Sequence, residues 1–458
     1  MPRRTIVAAN RLPVQGGPGG WEVSPGGLVT ALRPIVREGN GAWIGWQGIS
    51  EVETEPFTID GIDMVPVPLS SREVDQYYAG FSNATLWPLF HDAIRTPAFH
   101  RRWWRTYETV NQRFADAVVD VARPGDVVWV QDYQLMLVPD LVRRQLPPDA
   151  SIAFFLHIPF PPAELYARLP WRREIVLGLL GADLVGFQTE RAAQNFVEAC
   201  VEFAGATEHP DGVVHDDRVT RVITAPISID TAAFEEAAGS PDVAGRVARL
   251  RAELGDPDHI LLGVDRLDYT KGIEVRLRAF ETLLQRQPDL AATTQFIQIA
   301  VPSRQSIDDY ADMRSEIEQI AGRVNGAHGG FHRMPVHYIY ASLPHTDLVA
   351  YYQAADVMCV TPLADGMNLV AKEYVASRVD DDGVLLLSEF AGAAHELTDA
   401  VLVNPFDLDG VARSMAEALA MPAGERSPRM RRMRDQVRSH DVHVWARLAL
   451  GDLLDAPV

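Results

Sequence analysis

Short, uninterrupted apolar runs are what most constrain the fold of this chain. Segments rich in Val, Ile and Phe at 5–9, 127–130, 152–156, 184–187, 219–224, 260–264, 296–300, 336–340, 357–360, 384–387 and 400–403 predict strands. Longer stretches of helical periodicity lie between them, among them 104–121, 192–203, 272–285, 307–324 and 368–377. A half-solvated strand alternates apolar with polar residues, whereas a continuous apolar run needs cover on both faces. Strands alternating with helices provide that cover when the sheet is parallel and wrapped on both sides. The expectation is an α/β protein.

At 458 residues the chain exceeds what one hydrophobic core usually supports, so two domains are expected. The predicted strand at 219–224 is followed by a segment of small and charged residues (TAAFEEAAGSPDVAGRVARLRAELGDPDHI), after which a new strand begins. This divides the chain into 1–230 and 231–458, each long enough for a doubly wound, Rossmann-like sheet. Open α/β sheets bind ligands at the carboxyl ends of their strands, so two such domains facing a central cleft would place ligands there. The stretch 429–454 predicts one long terminal helix that could brace the first domain.

Charge narrows the partners. A formal net charge of -20 argues against sequence-independent binding of nucleic acid or anionic membrane, which needs clustered Lys and Arg. Any phosphate must then be held by a few chosen cations. The two cysteines, Cys200 and Cys359, lie in apolar stretches and read as buried small hydrophobes, in keeping with a cytoplasmic setting. The start, MPRRTIVAANRLP, has too short an apolar run for a signal peptide. The most apolar stretch, IVLGLLGADLVGF, is interrupted by Asp183 and falls short of the roughly 18 residues of a membrane helix. No His, Cys, Asp and Glu cluster has metal-ligand spacing.

Polar residues gather just beyond the predicted strands. Asp132 follows 127–130, His157 follows 152–156, Asp265, Arg266, Asp268 and Lys271 follow 260–264, Arg304 follows 296–300, and Asp365 follows 357–360. One Asp after a strand is ordinarily a helix N-cap, and one His ordinarily a satisfied structural residue. Several such positions in both halves, with both signs of charge, point to a site. In VDRLDYTKG, Arg266 and Lys271 flank a turn before a helix that starts near Gly272. Two cations near backbone N–H groups that already favour anions suit a diphosphate; the plain alternative is a solvated turn with an Arg–Asp pair. The motif is not a P-loop, whose glycine and Lys-Ser/Thr spacing is absent. DGMNLVAKEYV supplies a second helix start, where the N–H groups of Asn368, Leu369 and Val370 could face phosphate or a sugar hydroxyl. Glu373, one turn further, could accept from a ribose diol, or simply offset the helix dipole. Gly26 and Gly27 in SPGGLVTAL permit close backbone approach to a ligand, though a turn explains them as well.

Together ANRLPV, SPGGLVTAL, YYAGFSNATLWPLFH, DYQLMLVP, FFLHIPFPP, LPWR, LLGADLVGFQT, VDRLDYTKG, PSR, TPLADGMNLVAKEYVA and SEFAGAA resemble the retaining trehalose-6-phosphate synthases over nearly the whole chain. The resemblance implies the GT-B architecture and a transfer of glucose from UDP-, GDP- or ADP-glucose to glucose 6-phosphate. It implies an acceptor site of Arg11, Tyr78, Trp87, Asp132 and Arg304, with Arg11, Tyr78 and Arg304 on the phosphate and Asp132 on sugar hydroxyls. It further implies donor diphosphate contacts from Gly26, Gly27, Arg266 and Lys271, and donor glucose contacts from His157 and Asp365. The backbone amides of Leu369 and Val370 beside Asn368 would meet phosphate, and Glu373 the ribose. His157, Arg266, Lys271 and Asp365 are thus the catalytic candidates, with no metal and no cofactor. A homo-oligomer is compatible with this reading. Many relatives have His where this chain has Gln131 and Gln134, and Arg where it has Ala364; Gln hydrogen-bonds but does not titrate. The alternatives are a sibling transferase acting on glycerol 3-phosphate or a cyclitol phosphate, and a non-catalytic sugar-phosphate sensor.

Overall fold

The computed structural model describes residues 3–17, 20–23, 27–303, 308–330 and 333–455 of the chain. It divides into two compact units, Met1–Ile227 with Val442–Val458, and Ser228–Asp441.

Among the described residues the first unit is built on twelve strands: β1 (Thr5–Arg11), β2 (Val14–Gly17), β3 (Gly20–Val23), β4 (Ala42–Trp46), β5 (Phe57–Ile59), β6 (Ile62–Pro66), β7 (Val127–Gln131), β8 (Ser151–Phe155), β9 (Leu184–Phe187), β10 (Thr207–His209), β11 (Gly212–His215) and β12 (Arg218–Thr224). β2 and β3 form a separate antiparallel hairpin. The other ten form one sheet in the order β10-β11-β12-β9-β8-β7-β1-β4-β6-β5. From β6 to β12 every neighbouring pair is parallel. β7 is buried along its whole length, and β1 is buried up to its last residue, Arg11. Strands of VVWVQ and TIVAANR composition can be covered on both faces because they leave no charged side chain in the middle.

The second unit carries a six-stranded parallel sheet of β13 (His259–Arg266), β14 (Thr294–Val301), β15 (Val336–Tyr340), β16 (Val357–Val360), β17 (Val384–Ser388) and β18 (Val401–Val403). Its order is β15-β14-β13-β16-β17-β18. Numbered within the unit, that is the 3-2-1-4-5-6 order of the doubly wound dinucleotide-binding sheet. The strand order reverses between β13 and β16, and the carboxyl ends of those two strands flank the crevice where such sheets bind ligands. In the first unit the equivalent reversal falls between β1 and β7.

The helices that position the sites are α1 (Gly27–Glu38), α2 (Arg101–Val121), α3 (Ile273–Arg286) and α4 (Leu369–Ser377). The single helix expected over 429–454 is instead two helices, α5 (Ala423–Ser439) and α6 (Val442–Asp455). The break falls at Ser439, His440 and Asp441, polar residues whose types are weak in helix interiors and better at ends. The second half therefore does not end at residue 458: α6 is part of the first unit. There Trp445 donates from Nε1 to the Ala225 carbonyl at 3.1 Å, with its ring 5.3 Å from those of Trp129 and Phe155. Sequence periodicity passed over β4 and β6. AWIGW and IDMVP are five-residue runs containing Gly, Asp or Pro; β4 is a strand by its place between parallel β1 and β6, and β6 by its place between parallel β4 and antiparallel β5. Cys200 and Cys359 are free and buried, as expected of them.

Candidate active site

In the first unit, Arg11 is the last residue of β1, beside the strand-order reversal, and its guanidinium lies 4.1 Å from the centroid of the Trp46 ring at the end of β4. Stacking on an aromatic face holds the planar cation without using its N–H groups. Trp46 in turn meets Tyr78 at 6.2 Å between ring centroids. Partial burial lowers the Arg11 pKa and the nearby Tyr78 opposes that shift; an arginine remains charged throughout. Tyr78 belongs to an unusually wide helical segment, Val74–Leu86, with i→i+5 hydrogen bonds. Segments of this kind occur at functional sites.

Asp132 follows β7 with φ 70° and ψ 170°, a region nearly reserved for glycine. Three bonds hold it there. Its N–H donates to the Phe155 carbonyl at 2.8 Å, its carbonyl accepts from Leu135 N–H at 3.1 Å, and its Oδ1 accepts from His157 N–H at 3.1 Å. The strain turns the residue out of the strand line at the sheet's reversal point. Asn83 ties the neighbourhood together, donating to the Tyr78 carbonyl and accepting from Tyr133 Oη, both at 2.8 Å. Trp87 is buried against the Tyr133 ring at 5.6 Å. The structure thus gathers Arg11 with Tyr78, and Trp87 and Asp132 about Tyr133, with His157 bonded to Asp132.

His157 is held on both ring nitrogens, Nε2 at 2.9 Å from Gln131 Oε1 and Nδ1 at 3.4 Å from Gln188 Nε2. Burial pushes its pKa down to about 3, so the imidazole is neutral. Of the glycine pair, Gly27 is the first residue of α1, while Gly26 lies outside the described residues.

In the second unit the crevice residues come from β13 and β16. Lys271 Nζ is 2.5 Å from Asp365 Oδ2, with both side chains nearly buried. Asn368 Nδ2 donates to the same Asp365 oxygen at 3.1 Å. Asn368 also caps α4, its Oδ1 accepting from Ala371 N–H at 3.3 Å. Helix geometry leaves Leu369 and Val370 N–H, at the first two positions of α4, without an acceptor inside the helix. Gly272, with φ 59°, makes the turn into α3 that a residue with a Cβ would resist. Arg266 stands exposed at the end of β13. Arg304, three residues past β14, lies outside the described residues. Glu373, one turn into α4, accepts from Tyr352 Oη at 2.8 Å. Burial raises its pKa and the tyrosine hydrogen bond opposes this. Ala364, before Asp365, is buried.

Two residues escaped sequence reasoning. Trp46 ends a short run, AWIGW, whose pattern does not mark a strand. Arg276 is fully buried, its guanidinium 2.7 Å from Asp265 Oδ2, with further bonds to Thr361 Oγ1 at 3.0 Å and to the Lys271 carbonyl at 2.8 Å. It fastens the turn that carries Lys271 to β13 and to the residue after β16. The available signal was an arginine on the stripe of α3 shared by Ile273, Leu277 and Phe280. Among the described residues, no group of three or more His, Cys, Asp or Glu is placed to hold a metal ion.

The family model described as glycosyltransferase family 20 matches residues 3–455. A trehalose-6-phosphate synthase of Mycobacterium avium (strain 104) is 50% identical over 469 residues, covering 98% of this chain and 95% of its own length. The crystal structure of a UDP-forming alpha,alpha-trehalose-phosphate synthase from Burkholderia xenovorans in complex with glucose-6-phosphate superposes with a TM-score of 0.91 at 37% identity, covering 98% of this chain and 99% of its own. An E. coli structure bound with UDP-2-fluoro glucose matches with a TM-score of 0.91 at 33% identity, covering 99% of each chain. The α/β fold with two Rossmann-like sheets is the GT-B class expected from the sequence.

Proposed function

The chain belongs to glycosyltransferase family 20, and from that premise we propose that it transfers glucose from a nucleotide-glucose donor to glucose 6-phosphate with retention of configuration. The products are alpha,alpha-trehalose 6-phosphate and a nucleoside diphosphate. Arg11, Tyr78 and Arg304 take the acceptor's phosphate, Asp132 its hydroxyls, and Trp87 lines the sugar. Arg266, Lys271, the Leu369 and Val370 amides and the Gly26–Gly27 turn take the donor diphosphate, and Glu373 takes the ribose. His157 and Asp365 contact the donor glucose.

The observation that carries this reading is the pairing of Lys271 with Asp365 beside the start of α4, at the reversal point of the second sheet. Breaking the anomeric bond leaves an oxocarbenium-like sugar and a diphosphate on which negative charge grows. A fixed ammonium and free helix N–H groups stabilise that charge without reorganising. The acceptor hydroxyl attacks on the face the leaving group departs from and gives its proton to the departing phosphate. No protein nucleophile is required, unlike the two-carboxylate glycosidases, and orientation provides most of the remaining acceleration. The charge is supplied by protein cations, so no metal enters the scheme.

Two free buried cysteines fit a cytoplasmic enzyme. Among the described residues no helix is long and apolar enough to cross a membrane. The test is nucleotide release from UDP-, GDP- and ADP-glucose, each with glucose 6-phosphate or glycerol 3-phosphate. Release with glucose 6-phosphate and an alpha,alpha-linked product supports the reading. Release only with glycerol 3-phosphate, or binding of glucose 6-phosphate with no turnover of any donor, refutes it.

A further inference from the structure

His157 is expected to touch the donor glucose, yet its ring is committed to two glutamines of its own unit. The two amides can be assigned in order. Gln188 Oε1 accepts from Ile227 N–H at 2.8 Å, so the NH2 group of Gln188 faces His157 Nδ1 at 3.4 Å. A ring nitrogen that meets an NH2 group accepts, so Nδ1 is bare and the ring proton sits on Nε2. Nε2–H then needs an acceptor, and Gln131 Oε1 lies 2.9 Å away. The reverse orientation of Gln131 would set two NH2 groups against a neutral ring with only one N–H. The assigned orientation leaves Gln131 Nε2 buried without a partner, an unsatisfied donor that the surrounding fold tolerates.

We propose that Gln131, with Gln188, is a positioning residue of the transfer reaction, holding His157 as a fixed neutral Nε2–H imidazole that does not exchange protons with substrate. This rests on the transferase reading and on His157 as a donor contact. The surroundings oppose a cation there. The Phe155 and Trp445 rings pack at 4.8 and 6.2 Å from the imidazole, and Gln188, the residue after β9, is uncharged. The charged group that follows β7 is Asp132, whose Oδ1 meets the His157 main-chain N–H. Burial, which takes the ring's pKa down to about 3, acts in the same direction. An amide at 131 accepts a hydrogen bond from the ring N–H without adding a charge that would stabilise imidazolium.

The test pairs NMR of the full-length, ¹⁵N-histidine-labelled protein with steady-state kinetics. The expected spectrum shows His157 as the neutral Nε2–H tautomer from about pH 5 to 8, the range over which an ordinary histidine titrates. Gln131→Glu should raise the His157 pKa by more than about one unit and give kcat/KM a new dependence on that ionisation. Gln131→Leu should lower kcat about tenfold to a hundredfold, as expected for a misplaced contact, with the glucose 6-phosphate KM and the Tm nearly unchanged. An Nδ1–H tautomer, or a His157 titrating between about pH 5 and 8 in the unaltered protein, overturns the proposal. So does wild-type kcat in Gln131→Leu, or a Gln131→Glu pH profile that superposes on the wild type. The tautomer is read without substrate; absence of turnover with every nucleotide glucose would instead overturn the transferase reading beneath it.

Discussion

Lys271→Ala removes the ammonium from a nearly buried ion pair and separates two effects that the structure combines. Lys271 Nζ sits 2.5 Å from Asp365 Oδ2, and the two side chains are 10% and 12% exposed. Truncating one partner of a buried pair leaves the other charge uncompensated, a loss of about 3–5 kcal/mol in stability. The Asn368 Nδ2 bond to Asp365 remains in the variant, which places the expected loss at the lower end of that range. The catalytic effect is separate: losing one preorganised partner of a developing anion costs about 10²–10³ in kcat. The assay is nucleoside diphosphate release at saturating glucose 6-phosphate, run beside thermal unfolding of the same sample. Lys271→Ala should show both losses. Adding Asp365→Asn should recover stability, because a neutral amide replaces the stranded carboxylate, but not turnover. If Lys271 serves only the fold, activity will follow stability. Retention of kcat within about tenfold of wild type in folded Lys271→Ala would refute the donor assignment, since it lies below the loss expected for such a partner.

Arg11→Met keeps an apolar side chain over Trp46 while deleting the charge; the glucose 6-phosphate KM should rise about tenfold to a hundredfold, the value of a charge-assisted hydrogen bond, with the donor KM unchanged. Arg276→Met strands Asp265 in the core and should cost about 3–5 kcal/mol in chemical denaturation, most of it recovered by adding Asp265→Leu. Glu373 is held above its ordinary pKa by burial, so donor affinity should weaken as pH falls through a value higher than that of an exposed glutamate, and Glu373→Gln should flatten that acid limb while raising the donor KM. The stability sign is opposite. Because the folded pKa exceeds the unfolded one, ionising Glu373 destabilises the fold as pH rises from the unfolded toward the folded value. Glu373→Gln should therefore lose no stability at neutral pH.

The legible parts of this protein are those with a local physical cause. Continuous apolar runs announced β1, β7, β8, β13 and β16, because a strand covered on both faces cannot carry charge in its middle. Asp132, His157, Lys271 and Asp365 were legible as polar residues just beyond strands, and Arg11 only through the family resemblance. Glycine and asparagine marked the starts of α3 and α4 through the conformations those starts require. Where a run was short and mixed, as in AWIGW, local pattern failed, and Trp46 was lost with it. The single helix expected over 429–454 failed for a related reason: apolar periodicity does not say which unit a face will pack against.

The amino-acid sequence alone determined the order of strands and helices, the class of sheet and which polar residues stand at strand ends, since these depend on neighbours along the chain. Only the tertiary structure decided which strand ends meet. The reversal of strand order between β13 and β16 brings Lys271 to Asp365, 94 positions later, and lets Arg276 bond the carbonyl of Lys271 while neutralising Asp265. The equivalent reversal beside β7 lies next to the strained Asp132, and the order β7-β8-β9 sets Gln131 and Gln188 on either side of His157. Hydrogen bonds and ion pairs act over a few ångströms of space, and it is sheet order that turns long separations along the chain into such distances.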